Sequence, residues 1–333
     1  MKILIVSGFL GAGKTTFIKE MIRATGRDYV IFENEFGDVN IDGDVLRQAE
    51  NELKSNRQTA TENENEHIIE IREFTDGCIC CNMKGDFTAS LLTIQNTLQP
   101  DFLIIEPSGV GVLSSIKNGI RGVEYEHIRM LAPITIVDAR TYEKNKTKYA
   151  EIFTDQIRSA RFVQLSKTEQ MSPDELAAIA TDIRHLNPDA EIFTRHYKDA
   201  DTAYWQALFQ GELKDADEAV TPVDGSPLDN ISFRDVQVRD LCDLIRFLNQ
   251  LVLGFFGDVC RAKGVFNTPD GYGLRFDLVD GLYSITCAED EAEADVVLIG
   301  TGLKKMLLRA TFNSRFRKNG KQTVRLRNVS TKR

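Results

Sequence analysis

Two clusters of side chains in this chain have the types and spacing to do chemistry. The first is Gly8-Phe9-Leu10-Gly11-Ala12-Gly13-Lys14-Thr15-Thr16, which has the spacing G-x-x-x-x-G-K-T. A triphosphate carries several negative charges, so a loop that wraps it must aim backbone N–H groups inward. Gly8, Gly11 and Gly13 permit that concave backbone, and Ala12 and Thr16 complete the nucleotide-binding stretch. A helix starting near Lys14 points its N-terminal N–H groups at the same phosphates. Lys14 is placed to reach the β and γ phosphates, and the Thr15 hydroxyl to ligate Mg²⁺.

The second cluster is Cys78-Ile79-Cys80-Cys81. Three thiols this close can converge on one ion, and soft thiolates favour Zn²⁺ over Mg²⁺. A free thiol titrates near about 8.5, so a bound cation is what would keep these deprotonated at neutral pH. Three sulfurs leave one tetrahedral position open for Glu33 or Asp38, a water, or a receiving protein. A redox-active or merely buried thiol cluster is the competing reading. Cys242, Cys260 and Cys287 lie far along the chain and supply no fourth thiol nearby.

Three further sites end strand-like runs. Phe102-Leu103-Ile104-Ile105 runs into Glu106 and then Gly109. An acid there can hold Mg²⁺ through water, and the glycine N–H can report the γ-phosphate. Arg161-Phe162-Val163-Gln164-Leu165 runs into Ser166-Lys167-Thr168-Glu169. The Lys167 methylenes can cover a base, and Glu169 can accept the ring N–H and exocyclic amine of guanine, a donor pair adenine lacks. Tyr29-Val30-Ile31-Phe32 runs into the acidic, glycine-broken stretch Glu33 to Gly43. Lys14, Asp38 and Glu106 are the candidate catalytic residues. The four histidines, His67, His127, His185 and His196, are scattered and read as structural.

The elements that must position these groups alternate. Ile3–Val6, Tyr29–Phe32, His67–Arg72, Phe102–Ile105, Ile134–Asp138, Arg161–Leu165 and Glu191–Thr194 read as strands. Helices are expected from Lys14, over Gly85–Leu98, over Leu113–Arg121 and from Pro173 to about Leu186, the last capped by Ser172 and Glu175. This alternation predicts a doubly wound α/β domain over 1–210. A polar linker is expected over 211–228, then a smaller α+β domain over 229–314 and a basic tail over 315–333. In the second domain Asn230–Val238 is strand-like, and Leu241, Leu244, Ile245, Leu248 and Val252 form one helical stripe. Tyr272, Leu274, Phe276 and Leu278 form the buried face of a strand. Asp280-Gly281 turns a hairpin into Leu282–Ile285, and Val296–Ile299 and Leu303–Phe312 follow as strand and helix. Residues 51–66 are nearly free of large apolar side chains and read as an exposed insertion.

Composition sets the remaining bounds. The chain has 333 residues, 42% hydrophobic and 27% charged, as in an ordinary globular protein. A net charge of −9 argues against nucleic-acid binding by the surface at large. The opening apolar run is too short for a signal peptide, and no run of about 18 apolar residues offers a membrane span. Six cysteines, three of them crowded together, fit a metal or redox site in a reducing cytoplasm.

Taken together the stretches Gly8–Thr16, Glu33-Asn34-Glu35-Phe36-Gly37, Gly77–Cys81, Glu106 with Gly109, and Ser166–Glu169 resemble the CobW family of GTPases. Asn187-Pro188-Asp189-Ala190, Arg261-Ala262-Lys263-Gly264 and Ile299-Gly300 extend the resemblance over most of the chain. It implies a P-loop NTPase sheet of the SIMIBI type with a CobW-like C-terminal domain. It also implies a GTP-hydrolysing metallochaperone that binds Zn²⁺ or Co²⁺ at Cys78, Cys80 and Cys81 and passes it to a client metalloprotein. Glu33 to Asp38 then becomes a switch segment, with Glu33 and Asp38 as secondary metal ligands. The chain departs from the family at Glu169, where aspartate is usual, and at Ser166, where asparagine is usual. It also lacks a histidine-rich stretch. A nucleotide-dependent metal sensor or buffer, and an accessory protein of corrinoid metabolism, remain as alternatives. A homodimer is compatible with the sequence.

Overall fold

The computed structural model describes residues 1–34, 69–74, 84–124, 127–211, 228–288 and 294–316. The thiols Cys78, Cys80 and Cys81, the acid Asp38, the 51–66 stretch and most of the expected linker lie outside the described residues.

The first half of the chain builds a parallel sheet from β1 (Lys2–Gly8), β2 (Tyr29–Asn34), β3 (Ile69–Phe74), β4 (Phe102–Glu106), the short β5 (Arg129–Met130), β6 (Ile134–Asp138), β7 (Phe162–Ser166) and β8 (Glu191–Phe193). The order across it is β3-β2-β4-β1-β6-β7-β8, with β5 also on β1. Its helices are α1 (Lys14–Thr25), α2 (Lys84–Thr97), α3 (Leu113–Arg121), α4 (Tyr142–Lys148), α5 (Ala150–Arg158), α6 (Pro173–Leu186) and α7 (Thr202–Gln210).

Strand alternation explains the layering. Ile3, Ile5, Leu103 and Ile105 face one side, with Ile116 of α3, Phe153 of α5 and Ile183 of α6. Leu4, Val6, Ile104 and Ile136 face the other, with Phe17 and Met21 of α1 and Trp205 of α7. Each strand therefore serves two cores, which is why the runs read as continuous apolar stretches. Because the pairings are parallel, all seven main strands end on one edge. β1 sits at the centre between β4 and β6; the chain leaves it for β2 on one flank and later crosses from β4 to β6 on the other, the usual place for a ligand crevice.

The second unit is an antiparallel sheet in the order β12-β11-β10-β13-β9. Its strands are β9 (Asp229–Phe233), β10 (Asp258–Asn267), β11 (Gly273–Val279), β12 (Leu282–Cys287) and β13 (Val296–Thr301), with helices α8 (Leu241–Val252) and α9 (Lys305–Arg315). Asp280 and Gly281 both take positive φ, 54° and 83°, and close the β11–β12 hairpin tightly. The unit has its own aromatic core, where Phe247, Phe266, Phe312 and Phe316 pack ring against ring.

Several details differ from the sequence reading. The strand at Asn230 stops at Phe233, because Asp235 turns the chain at φ 54°. The buried stripe of α8 is Leu244, Phe247, Leu248 and Leu251; Leu241 and Val252 face solvent. Tyr272 precedes β11 and is 73% exposed. The last helix extends beyond Phe312 to Arg315. Arg315 is no part of a solvated tail: its guanidinium pairs with buried Asp243 at 2.6 Å, and Phe316 after it is fully buried. Strand β10 was not anticipated, since DVCRAKGVFN is buried on both faces and shows no alternation. Helices α4, α5 and α7 were also not anticipated; α5 buries Asp155 and Gln156 among its apolar residues, which blurs its stripe.

The two units pack together. Cys260, Val297 and Ile299 join the first unit's core, and Lys144 pairs with Asp280 at 2.7 Å. No described helix is long and apolar enough to cross a membrane. Burial pushes the Cys260 thiol up to about 11, while Cys242 and Cys287 are exposed. Brief alkylation of the folded protein, mapped by mass spectrometry, should therefore modify Cys242 and Cys287 and spare Cys260 until the chain is unfolded.

Candidate functional site

The loop between β1 and α1 is built by its own backbone. Gly8, Gly11 and Gly13 take φ of 146°, 71° and 96°. At Gly8 the need is also steric, since a Cβ would fall 2.4 Å from the Ile136 carbonyl oxygen of β6. The loop carbonyls are occupied one after another. Gly8 O accepts from Lys14 Nζ at 3.1 Å, and Phe9 O from the Ala12 N–H at 3.0 Å. Gly11 O accepts from Lys167 Nζ at 2.6 Å, Ala12 O from Ser166 Oγ at 2.7 Å, and Gly13 O from the Phe17 N–H at 2.9 Å. These contacts occupy the carbonyl oxygens of five loop residues, acceptors that would otherwise repel an anion.

Lys14 is buried, and Thr15, beside it, donates its hydroxyl to Glu106 Oε1 at 2.9 Å. Thr16 is exposed. Glu106 ends β4 and lies in register with Glu33 at the end of β2, so two carboxylates stand side by side on the edge that carries the loop. Glu33 is buried at 4% exposure. Among the described residues, no group of three or more His, Cys, Asp and Glu side chains is gathered to hold a metal.

Gly109 lies so close to the loop that a Cβ there would sit 2.6 Å from the Leu10 nitrogen. Its position is fixed from behind. Buried Gln156 of α5 donates from Nε2 to Gly109 O at 3.2 Å and to Gly111 O at 3.0 Å. The same helix supplies Asp155, whose carboxylate accepts the Ser114 N–H at 3.2 Å and so caps α3, which has no cap of its own. Burial holds the Asp155 carboxyl above its ordinary range.

At the end of β7, Ser166 is buried and Lys167 takes φ 55°, which directs its ammonium to Gly11 O and to Asp138 Oδ2 at 2.8 Å. Asp138 ends β6 and is itself oriented by the Arg140 N–H. Glu169 is largely exposed, and its carboxylate meets His196 Nε2 at 3.3 Å. The hairpin of the second unit closes the far side: Val279 Cγ1 would be 2.7 Å from a Cβ on Gly11. A cavity of about 610 Å³ opens between Asp138, Lys144 and Lys167 on one side and Val279, Asp280 and Tyr283 on the other.

The structure thus gathers Gly8, Gly11, Ala12, Gly13, Lys14, Thr15, Glu106, Gly109, Ser166 and Lys167 around one loop, with Glu33 on the same edge and Glu169 on the loop after β7. Sequence reasoning missed Asp138, Gln156 and His196. Asp138 had a signal, an acid at the carboxyl end of a buried strand. Gln156 and His196 had none, because a lone glutamine or histidine reads as a structural residue.

Strand order, loop and central crevice define a P-loop nucleotide-binding fold. The chain matches the CobW/HypB/UreG nucleotide-binding domain over residues 2–194 and the cobalamin synthesis protein cobW C-terminal domain over 228–315, and it belongs to that family. It is 26% identical over 219 residues to zinc-regulated GTPase metalloprotein activator 1 of Dictyostelium discoideum, a match that takes in 58% of this chain and 45% of that protein. It is 25% identical over 332 residues to zinc chaperone YjiA of Escherichia coli K12, across 93% of this chain and 97% of that one. The crystal structure of Zn(II)-bound YjiA GTPase from E. coli superposes with a TM-score of 0.45 at 20% identity, covering 96% and 99% of the two chains. The chain spans about half the length of several curated relatives it matches.

Leucine at position 156 would keep the volume but lose both hydrogen bonds to the Gly109 loop. Gln156→Leu should cost about 1–3 kcal/mol of stability, the penalty for buried carbonyls left without donors, and loosen nucleotide binding with it. Denaturant unfolding and a nucleotide titration check both effects.

Proposed function

We propose that this protein is a GTP-hydrolysing metallochaperone with a transition metal, zinc first among them, as its cargo. The observation that carries the reading is the Thr15–Glu106 hydrogen bond at the foot of a loop whose carbonyls are all but used up, in a chain of the CobW/HypB/UreG family. Relatives named zinc chaperone and zinc-regulated GTPase metalloprotein activator support the choice of nucleotide and cargo.

The residues fit the nucleotide and its magnesium. Lys14 leaves Gly8 O to meet the β and γ phosphates, so the loop exchanges an internal contact for a charged one. Thr15 and Glu106 already share a hydrogen bond and would hold Mg²⁺, Thr15 directly and Glu106 through water; the ion would neutralise charge on the β and γ oxygens. Gly109, tight against Leu10, offers its N–H near the end of the phosphate chain. Lys167 covers the base with its methylenes while its ammonium stays on Gly11 O, and Glu169 accepts the two guanine donors. The cargo ion would bind Cys78, Cys80 and Cys81, which fall in the chain between Phe74 of β3 and Lys84 of α2. Asp38 and Glu33 would be its carboxylate neighbours, and the client protein would take the ion from that site. β2 and β3 end at the edge that carries the phosphate loop, the edge at which a γ-phosphate would be felt.

Turnover of GTP and ATP, with and without Zn²⁺, tests this. GTP should be hydrolysed slowly, on the order of 10⁻⁴ to 10⁻² per second. Lys14→Ala should abolish turnover, and elemental analysis should find metal whose retention depends on nucleotide. Absence of both hydrolysis and any nucleotide effect on Zn²⁺ affinity would overturn the proposal in favour of a simple metal buffer. A separate check concerns the base. Xanthine carries a carbonyl where guanine has its amine, so Glu169→Gln, which offers an N–H there, should exchange GTP preference for xanthosine triphosphate in competition binding.

A further inference from the structure

We infer that His196 is a positioning residue for the guanine-reading acid, and that it makes the long side chain Glu169 serve where a shorter one would stand alone. The inference rests on the proposed role of Glu169. β7 and β8 pair in parallel, so the loop after β7 carrying Glu169 and the loop after β8 carrying His196 leave the sheet side by side. Among the described residues, the polar partner of the Glu169 carboxylate is His196, Nε2 to Oε1 at 3.3 Å. The Glu169 side chain is 66% exposed and its surroundings do not fix it, whereas that of His196 is 18% exposed.

The imidazole is held from its other end. His196 caps the short turn Tyr197–Asp199, and its Nδ1 accepts the Lys198 N–H at 3.1 Å. A nitrogen that accepts carries no proton, so the ring hydrogen of the neutral imidazole is on Nε2, the nitrogen nearer Glu169. The ring also lies 4.5 Å from that of Tyr197, which is buried edge-on against Phe17 of α1 at 5.2 Å. The acid is therefore tied, through His196 and Tyr197, to the helix that begins in the phosphate loop. A carboxylate oxygen has two acceptor sites, so the contact with His196 leaves room for the two donors of the base. Glutamate has one more rotatable bond than aspartate, and the histidine removes that freedom before the base arrives.

The test compares GTP and ATP dissociation constants by competition against a fluorescent nucleotide, with Mg²⁺, on the full-length protein. ATP is the internal control, since the phosphate loop grips both. His196→Ala should lower the GTP-over-ATP preference a few-fold, roughly two- to fivefold as for a contact to a largely exposed carboxylate, with ATP affinity unchanged. His196→Gln, which restores an N–H donor, should recover most of the preference. In a Glu169→Asp background the same His196→Ala change should have little effect, because the shorter acid neither reaches the ring nor needs it. If His196→Ala leaves the preference intact while Glu169→Ala abolishes it, the base reading stands and this inference falls. If GTP and ATP weaken together, His196 is only structural and the inference falls. If the unmodified protein does not distinguish GTP from ATP, the base reading fails and takes the inference with it.

Discussion

A loop that binds a polyanion must hide its carbonyl oxygens, and most of this site is arranged to that end. Each peptide in Gly8–Gly13 has a donor and an acceptor, and rotating one group outward rotates the other inward. Lys14, the Ala12 N–H, Lys167, Ser166 and the Phe17 N–H take the carbonyls of Gly8, Phe9, Gly11, Ala12 and Gly13. Two of those donors come from the end of β7 and the residue after it, more than 150 positions along the chain. The phosphate loop is thus shaped by the opposite end of the same domain, and it requires β7 to lie in place beside β6.

That requirement explains the strand order. β6 lies between β1 and β7, and its Ile136 carbonyl is the atom that leaves no room for a Cβ at Gly8. Its last residue, Asp138, holds the Lys167 ammonium that reaches Gly11. On the other flank β4 brings Glu106 to Thr15. A parallel sheet delivers these groups from four strands to one edge without long loops, and the crowding between neighbouring strands sets their spacing.

How much of this could be read in the sequence depends on whether the signal was local. The P-loop spacing, the apolar runs at Ile3–Val6 and Phe102–Ile105, and the cap at Ser172-Pro173 each lie within one element. They were legible because the same residues that make the element also announce it. The donors on the loop carbonyls join residues far apart, and no spacing rule encodes them. Ser166 was read as a departure where asparagine is usual, yet its hydroxyl reaches Ala12 O at 2.7 Å. Gln156 is polar in a buried helix face, so the pattern that would locate α5 is broken by the very residue that matters. In the second unit β10 lacks alternation because both its faces are covered, and only pairing with β11 and β13 identifies it.

The second unit is more than an appendage to this edge. Its β11–β12 hairpin sets Val279 against Gly11, the glycine whose carbonyl takes Lys167. The hairpin tip is tied to the first unit by Lys144–Asp280, and β10 by Lys148–Asp258. Exposed ion pairs of this kind contribute little stability, so they do not hold the units together. The shared core of Cys260, Val297 and Ile299 against the first unit does that. The ion pairs instead set where the hairpin tip rests on a surface already joined. Any movement of Gly11 as the loop accepts charge must then be absorbed by Val279 or by the cavity beside it, since a close-packed contact has no slack of its own. The position of the C-terminal hairpin is accordingly part of the description of the nucleotide site.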